Sequence, residues 1–419
     1  MIKNLTAKSI SLMLLLLIAV ACSTHKPIAS KTQNAYSLTA TIDQRFKHAA
    51  SQYKLMMEDL PKDKLPKTFV KKSNYLETSK PDWWTSGFYP GTLWYLYEET
   101  KDSVLLKEAR RAMKLLEKQQ SNKQSADLGA IIYNSFGTAM KIDPQLTYQK
   151  TLLASAKTLM KRYSSKVKAI RSWDTRQNDK EFVVVIDHLM NLELLFWASH
   201  ATGDSSYYKV AINEAETIWK NHIRPDYSSC QIVTFDTKTG KLKNKRNGQG
   251  YSDESTWSRG EAWALYGFTV LYRETQHPEY LKRAEHIADF IVNHPNLPKD
   301  KIPYWDFNAP DIPNTYHDAS AGAIMAAALL ELSGYSQHNA KSYFKTGETM
   351  LETLASPAYT ALLGAEGGFV LMHGAGYIPV MAEVDVPLPY ADFYYIQALK
   401  RYKALLLGEK GTNAAVRYP

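Results

Sequence analysis

The amino-acid sequence predicts an all-α fold, an (α/α)6 barrel in which six helical pairs form a closed toroid, with a small β-hairpin insertion. Three observations indicate this fold. About twelve segments repeat their apolar residues with the 3.6-residue period of a helix. Amphipathic helices alternate along the chain with helices that are apolar on all sides. No Gly/Ser-rich linker or change of composition divides residues 41–408, so we expect one domain.

The helical segments follow one another with short connections, as a barrel of paired helices requires. We place them at 41–60, 86–100, 103–121, 126–142, 144–164, 183–203, 205–222, 254–276, 278–294, 318–336, 339–356 and 391–408.

The helices belong to two kinds that predict two layers. Segments 103–121, 205–222 and 278–294 are charged on one face and apolar on the other, as helices at the surface are. Segments 183–203 and 318–336 carry little charge on any face, which indicates burial on all sides. An outer helix followed by an inner helix, repeated six times, describes the toroid.

One stretch has a clear strand pattern. Residues 230–245 read CQIVTFDTKTGKLKNK, in which two alternating segments flank Lys-Thr-Gly. Such alternation around a turn containing glycine predicts a β-hairpin.

Residues 1–22 are typical of a bacterial lipoprotein signal peptide. A lysine-containing start precedes the apolar stretch SLMLLLLIAVA, and Cys22 lies where a lipobox cysteine is lipidated. An ordinary signal peptide with an accidental cysteine is the alternative. We expect residues 23–40 to form a polar tether and residues 41–419 to form the barrel domain. The protein is then exported and lipid-anchored to the bacterial outer membrane, facing the periplasm or the cell surface.

Composition limits the possible partners. The chain has 419 residues and a formal charge of +9, but its basic residues are scattered over amphipathic helices rather than gathered in one tract. We therefore expect no nucleic acid as a partner and contact with a membrane only through the lipid anchor. With the leader removed and Cys22 lipidated, Cys230 is the only side chain able to form a disulfide and has no partner within the chain, so stability must come from the core.

The sequence lacks the common motifs that indicate metal or cofactor chemistry. It contains no HExxH, no Walker loop, no GxGxxG and no cysteine cluster. We expect neither a metal nor an organic cofactor.

The starts of the predicted inner helices bring polar and aromatic residues to one end of the toroid. Flat aromatic rings beside charged groups are typical of carbohydrate pockets, since rings cover the apolar faces of a sugar. The alternative is that the aromatic side chains only fill the mouth of the toroid. The aromatic candidates are Trp84, Trp173, Trp257, Trp263 and Tyr390.

Asp187 lies in one of the most apolar stretches, EFVVVIDHLMNLELLFWA. An ionised carboxylate in such surroundings loses hydration worth several kcal/mol, so acids there are rare unless paired or functional. Burial beside Val185, Ile186 and Leu189 would raise the pKa of this carboxyl. The alternative is a buried aspartate that caps its own helix.

Eight strings in order along residues 40–405 resemble the unsaturated glucuronyl hydrolases of glycoside hydrolase family 88. Their spacing is similar to that of the family, and together they are far more specific than any single one. They are WTSGFYPG, IRSWD, VVIDHLMNLELLFWA, NHIRPDYSS, GQGYSDESTWSRGEAWALYGF, PYWDFNAP, DASAGAIMAAALLELS and EVDVPLPYADFYYIQAL.

This resemblance implies a fold and a reaction. Members are (α/α)6 barrels that remove a 4,5-unsaturated uronic acid from the non-reducing end of an oligosaccharide left by a polysaccharide lyase. Two carboxylates at the anomeric centre perform ordinary glycoside hydrolysis. Here, by contrast, an acid protonates C4 of the vinyl ether, water adds at C5, and the hemiketal opens with loss of the aglycone. No metal or cofactor takes part.

The resemblance assigns two catalytic carboxyls. Asp187 matches the acid/base position, and its deprotonated form can then take a proton from the incoming water. Asp127 matches the second carboxylate, expected to stay ionised and to keep Asp187 protonated by repulsion; as an isolated feature it would be a helix N-cap. If the inner helix is regular, Asn191 lies one turn beyond Asp187 and orients it. His188 points elsewhere, so we assign it to packing.

The resemblance also assigns substrate-binding residues. Arg259 matches the residue near the substrate carboxylate, where a guanidinium suits a bidentate grip. Its alternative is a structural ion pair with Glu254 or Glu261. Further residues match substrate-contacting positions, with Trp84 the least clear among them: Gln249, Trp257, Trp263, Trp173 and Trp84.

Two positions depart from the family pattern. Many members have Tyr-His where this chain has Cys230-Gln231, and His-Gln where it has Gly248-Gln249. Gln231 thus stands at the place of a substrate-facing histidine. An amide can hydrogen-bond but cannot become cationic, so no preference for a sulfation pattern transfers from the family.

We therefore expect a glycosidase for lyase-generated oligosaccharides of glycosaminoglycan or ulvan type. The nearest alternative is an unsaturated rhamnogalacturonyl hydrolase, which acts on pectin fragments with the same chemistry. A catalytically silent glycan-binding lipoprotein is the alternative from another class, although it has no use for two acids in one pocket. A sugar epimerase would call for paired histidines at inner-helix ends, and the sequence has none at comparable positions.

Overall fold

The computed structural model describes residues 38–408, most of which lie in two layers of helices. Cys22, the signal peptide and most of the tether lie outside the described residues, and α1 begins inside the predicted tether. The outer layer consists of α1 (Leu38–Asp59), α3 (Ser103–Leu116), α5 (Leu146–Met160), α7 (Ser205–His222), α9 (Pro278–Asn293) and α11 (Ala340–Leu354). The inner layer consists of α2 (Phe88–Thr100), α4 (Thr138–Ile142), α6 (Leu192–Thr202), α8 (Ser258–Thr275), α10 (Ala319–Ser333) and α12 (Pro389–Leu406).

The inner helices contact one another around a complete ring. A π-helical segment, Gly129–Gly137, runs directly into α4 and packs between α2 and α6. Helix α8 contacts α6 and α10, α10 contacts α12, and α12 returns to α2. Because the last inner helix packs against the first, the ring is closed. The predicted (α/α)6 barrel, with outer and inner helices alternating along the chain, is confirmed.

Burial explains why the two layers differ in sequence. In α3 the buried residues recur on one face, for example Leu105, Ala109 and Ala112, while Lys107 and Arg110 are exposed. Nearly every residue of α10 is buried, which is possible because the helix is built largely from alanine and leucine. The outer helices thus need one apolar face, and the inner helices need apolar residues all round.

Short antiparallel strands lie in the connections between the helices. The predicted hairpin is present as β6 (Ile232–Asp236) and β7 (Leu242–Arg246), which confirms the strand prediction. Three two-stranded hairpins and a third strand beside β6 were not predicted. They are β1 (Leu65–Val70) with β2 (Tyr75–Ser79), β3 (Tyr163–Ser164) with β4 (Ala169–Ile170), β8 (Gly374–Tyr377) with β9 (Ala382–Val386), and β5 (Glu181–Val185) beside β6.

The prediction of one helix over 183–203 is wrong in its first half. Strand β5 ends at Val185, a 3-10 segment covers Ile186–Asn191, and only then does α6 begin. β-branched residues favour a strand wherever a partner strand is available, and β6 supplies that partner, with Val183 opposite Thr234. The hydrogen bond from Ile186 N to Gln231 O, 3.0 Å, extends the pairing to the start of the 3-10 segment.

Two glycines let the inner helices approach the 3-10 segment closely. A Cβ on Gly129 would lie 2.3 Å from Asn191 Cα, and a Cβ on Gly267 would lie 2.3 Å from Leu189 Cβ. Neither neighbour can move without shifting the segment itself. The 3-10 segment is therefore wedged between the π-helical segment and α8.

Within residues 38–408, no helix is both long enough and apolar enough to cross a bilayer.

Candidate active site

A cavity of about 440 Å³ opens where the inner helices begin, a size in the range of pockets for small ligands. We call it the active-site cavity. It is lined by most of the residues that the sequence nominated, together with parts of two hairpins. The nominated residues in its wall are Trp84, Asp127, Trp173, Asp187, Gln231, Gln249, Arg259 and Tyr390.

The barrel brings the acids, Arg259 and Tyr390 together because each of them precedes or begins an inner helix. Asp127 lies just before the π-helical segment, and Asp187 lies in the 3-10 segment that leads into α6. Arg259 and Tyr390 lie in the first turns of α8 and α12. Residues far apart in sequence thus meet at one end of the ring.

Asp187 is half-buried in the cavity wall, and its Oδ2 is sealed from solvent with no hydrogen-bond partner among residues 38–408. The pKa of this carboxyl is raised to about 6, chiefly by burial and to a smaller extent by repulsion from Asp127. The positive charge of Arg259 opposes the rise, as does His188. A carboxyl whose charge is disfavoured in this way suits the role of a general acid near neutral pH.

Asp127 is also half-buried, and burial raises the pKa of its carboxyl as well. His188, Ser125, Arg162 and Asn191 oppose that rise. Its Oδ2 accepts a hydrogen bond from Ser125 Oγ at 3.2 Å, and no side chain caps the π-helical segment that follows. The alternative role as a helix N-cap does not describe this residue.

Asn191 does not orient Asp187, contrary to the expectation from a regular helix. Because the 3-10 segment has three residues per turn, Asn191 does not follow Asp187 on one helical face. Asn191 Oδ1 accepts a hydrogen bond from Ala130 N at 2.8 Å. Of the two acids, Asp127 is the one whose pKa is lowered by Asn191. Nor does Asp187 cap α6, whose first residues have no side-chain cap.

His188 is buried, as a packing residue is, but it also lines the active-site cavity. Its Nδ1 lies 3.4 Å from Ser172 Oγ and 3.6 Å from Glu214 Oε1. Because both neighbours approach the same ring nitrogen, the three residues do not form a serine triad.

Arg259 is almost fully buried, and protein groups already hold its guanidinium. Nη1 donates to Asp318 Oδ2 at 3.0 Å and to Ala375 O, while Nη2 donates to Gly376 O at 2.6 Å. An ion pair of Arg259 with Glu254 or Glu261 was the alternative, and this choice of partner is wrong. Arg259 is paired with Asp318. Glu261 instead accepts from Ser229 Oγ at 2.6 Å.

Two glutamines link Arg259 to the cavity wall. Arg259 Nη2 donates to Gln249 Oε1 at 2.7 Å, and Gln249 N donates to Gln231 Oε1 at 2.7 Å. Gln231 stands where many family members are expected to have a histidine. Its side-chain amide orients Gln249 by accepting a hydrogen bond from the Gln249 backbone. This relay fixes the polar side of the cavity.

The aromatic candidates divide into cavity residues and core residues. Trp173 is 38% exposed, and Trp84 packs against Tyr390 with ring centroids 4.9 Å apart. Trp257 and Trp263 do not line the cavity. The guanidinium of Arg259 stacks on the buried Trp257 ring at 4.6 Å, and Trp263 lies fully inside the barrel. These two tryptophans support the site rather than face a ligand.

Three residues that were not predicted also line the cavity: Lys67 and Glu383 on hairpin strands, and Trp83 in the connection between β2 and α2. Lys67 of β1 pairs with Glu77 at 2.6 Å, lies 3.6 Å from Glu383, and stands over the ring of Trp83 at 5.3 Å. Trp83, next to the nominated Trp84, is 41% exposed. Burial raises the pKa of Glu383, against the charges of Lys67 and Arg259. Because the hairpins themselves were not predicted, no periodic signal pointed to Lys67 or Glu383.

The donor chemistry of the site contains nothing arranged for a metal. Within residues 38–408, no group of three or more His, Cys, Asp or Glu side chains is placed to hold a metal ion.

Comparisons with known proteins agree with this geometry. An unsaturated glucuronyl hydrolase from Formosa agariphila is 45% identical over 325 residues, covering 77% of this chain and 81% of the relative. An unsaturated chondroitin disaccharide hydrolase from Streptococcus agalactiae is 30% identical over 325 residues, covering 76% and 81%. The crystal structure of an unsaturated glucuronyl hydrolase specific for heparin matches with a TM-score of 0.84 and 40% identity, covering 88% of this chain and 98% of that one. The family model of Glycosyl Hydrolase Family 88 matches residues 53–395, and the chain belongs to this family.

Proposed function

We propose that this glycosidase removes a 4,5-unsaturated uronic acid from the non-reducing end of lyase-generated oligosaccharides by hydrating the vinyl ether. The observation that carries the proposal is the pair of carboxyls in one cavity, of which Asp187 has a pKa raised to about 6. An acid of that strength is still partly protonated near neutral pH and can protonate a carbon atom.

The reaction begins with proton transfer from Asp187 to C4 of the unsaturated ring. Electrons of the C4=C5 bond form the new C4–H bond, and the ring oxygen stabilises the positive charge at C5. Water adds at C5 while the Asp187 carboxylate takes its proton, which restores the acid. The hemiketal at C5 then opens, and the aglycone leaves as an alcohol.

Arg259 supplies positive charge to this cavity in a fixed position. Its donors already bind Asp318, Gln249 and two backbone carbonyls, so a bidentate grip on the substrate carboxylate requires the Gln249 side chain to turn away. We infer that Arg259 attracts the carboxylate through its charge and that Gln249 adjusts to the bound sugar.

Relatives support a glycosaminoglycan-type substrate. One solved relative is described as specific for heparin, and another was solved with dGlcA-GalNAc6S. We infer that the parent polysaccharide here is of glycosaminoglycan or ulvan type. A further relative was solved with dGlcA-Glc-Rha-Glc, so the aglycones differ among these relatives.

A panel of unsaturated disaccharides tests the proposal. The wild-type protein is incubated with glycosaminoglycan-, ulvan- and pectin-derived disaccharides, each beside its saturated counterpart as a matched control. We expect loss of the ultraviolet absorbance of the alkene and release of the aglycone, with the saturated compounds untouched. Cleavage of the saturated compounds would overturn vinyl-ether hydration.

The same panel separates the alternatives. Turnover confined to the pectin fragments would identify an unsaturated rhamnogalacturonyl hydrolase. Binding without any loss of alkene would identify a glycan-binding protein.

We also propose that the protein is exported and held at the bacterial outer membrane by lipid on Cys22. The basis is the leader at residues 1–22, with its apolar stretch followed by a cysteine. A place outside the cytoplasm suits an enzyme that acts after a polysaccharide lyase.

A further inference from the structure

A second cavity of about 340 Å³ is strongly basic and has no part in the proposed reaction. Its charged residues are Lys123, Lys161, Arg162, Arg171 and Asp174, four cations and one carboxylate. We call it the basic groove. Asp174 is the only carboxylate among the described residues that line it, so its net charge is strongly positive.

The basic groove adjoins the active-site cavity because two chain segments contribute to both. In the first segment, Lys123 lines the groove and Asp127 lines the active-site cavity. In the second, Arg171 and Asp174 line the groove, while Trp173 between them in sequence lines the active-site cavity. A ligand that fills the cavity and extends along this wall meets the groove next.

The arginines of the groove are held in place before any ligand arrives. Arg162 Nε donates to Arg171 O at 2.8 Å, and its Nη1 donates to Lys123 O at 2.6 Å. Arg171 Nη1 donates to Glu181 O at 2.6 Å, and the guanidinium lies over the Phe182 ring at 4.5 Å. The positions of these charges are thus fixed by backbone carbonyls and a ring.

Positive charge in the groove exceeds the negative charge that the protein supplies. Asp174 lies 3.2 Å from Arg162 Nη2, and within residues 38–408 neither Lys123 nor Lys161 forms an ion pair. Both lysines are exposed. Burial and the neighbouring charge of Arg162 lower the pKa of Arg171, against the pull of Asp174. An anion entering the groove would relieve this repulsion.

We propose that the basic groove is a subsite for an anionic group, a sulfate ester or a second uronate carboxylate, on the saccharide beyond the scissile unit. The inference rests on the proposed function, which places the unsaturated residue at Asp187. That residue is the non-reducing end, so the rest of the oligosaccharide continues outward along the cavity wall. A substrate that is anionic at every second sugar has its next charge on that part.

The test replaces the two exposed lysines with Lys123→Gln and Lys161→Gln in one protein. A second double variant, Lys107→Gln with Lys282→Gln, removes the same charge from exposed positions on the outer helices α3 and α9. KM and kcat are measured on three substrates: an unsulfated unsaturated disaccharide, its sulfated form, and an unsulfated unsaturated tetrasaccharide. Thermal midpoints show whether each variant is folded.

We expect the groove variant to raise KM for the sulfated disaccharide or the tetrasaccharide about fivefold more than for the plain disaccharide. The difference should shrink as sodium chloride is added, because salt screens exposed charges. An effect on the sulfated compound alone identifies sulfate as the ligand, and an effect on the tetrasaccharide alone identifies the uronate. The control variant should behave like the wild type.

The subsite is overturned if the groove variant changes KM equally for all three substrates, or for none, while the wild type consumes the alkene. If the wild type consumes the alkene of none of the three substrates, the proposed function is overturned instead. The two failures are therefore distinguishable.

Discussion

Asp187 is disposed to hold a proton because the cost of burying its charge exceeds the stabilisation that Arg259 provides. The apolar neighbours that make this so are already visible in the sequence. The partnerless Oδ2 adds to the effect, since an ionised oxygen without a donor is less stable than a neutral one.

The activity should depend on pH through this carboxyl. Because the pKa is raised to about 6, the protonated form predominates below that value and declines tenfold per pH unit above it. We expect kcat/KM to fall along an alkaline limb with a midpoint near pH 6. A value of kcat/KM that rises, or stays constant, between pH 6 and 8 would contradict the role of Asp187 as acid.

The buried pair of Arg259 and Asp318 should be important for stability. Asp318 also caps α10 by accepting from Ser320 N at 2.9 Å, and it accepts from Ala375 N at 3.2 Å. Asp318→Ala leaves a buried guanidinium without its counter-ion, so we expect a loss of about 3–5 kcal/mol in urea-induced unfolding. As a control, Asp102→Ala removes the partly exposed cap of α3 and should cost about 1 kcal/mol. Equal losses would show that only capping matters.

At the residue scale, the sequence was informative about charged groups and less so about aromatic ones. A carboxylate or guanidinium at a helix start has few alternatives to facing a polar cavity or a counter-ion, and Asp127, Asp187 and Arg259 all line one. A tryptophan is equally suited to a core and a sugar platform. For that reason Trp263 lies in the core although its position suggested otherwise.

At the scale of elements, the 3-10 segment Ile186–Asn191 is the part of the barrel on which the site depends most. It joins strand β5 to α6, and close packing at Gly129 and Gly267 fixes its position. A small displacement of this segment moves Asp187 relative to the substrate, and catalysis is sensitive to such displacements.

Gly267→Ala should therefore damage activity from inside the core. The new methyl group would lie 2.3 Å from Leu189 Cβ, so the segment must shift, at a cost of about 1–3 kcal/mol. We expect kcat to fall about tenfold on the preferred disaccharide, because the shift carries Asp187 with it. Gly347→Ala in the outer helix α11 is the control. There the nearest atom is 3.0 Å away, and kcat should not change. Unchanged kcat in Gly267→Ala would show that the wedge does not position the acid.

Long helices were predictable because a 3.6-residue pattern repeats over many turns, as in α7, whose predicted and observed limits agree. Short strands were predictable only in the β6–β7 hairpin, where a turn with glycine lies between two alternating segments; the other strands give too little pattern. The run that ends at Val185 illustrates the difficulty. Its β-branched residues pair with β6, which lies far along the chain, and no local pattern reports that partner.

At the scale of the whole molecule, closure of the ring explains where the site must be. Every inner helix runs from the same end of the barrel, so its starting residues gather at one mouth. Six connections can then vary without disturbing the core, and in this chain two of the hairpins, β1–β2 and β8–β9, add to the cavity wall.

The proposed lipid anchor concerns the molecule as a whole. Cys22→Ser removes the thiol to which lipid is attached, so we expect the full chain to move from the membrane fraction to the soluble fraction of its host. The control is Cys230→Ser, which alters a buried thiol in the barrel and should leave the protein at the membrane. Retention of the Cys22→Ser protein at the membrane would contradict lipidation at this residue.

The most direct measurement is single-turnover loss of the alkene by Asp187→Asn, compared with the wild type on the same unsaturated disaccharide. The amide keeps the size of the side chain but has no acidic proton to give to C4. We expect the rate to fall by about 10³ or more, with the fold and disaccharide binding retained. A variant that still consumed the alkene at a tenth of the wild-type rate would contradict the assignment of Asp187 as the acid.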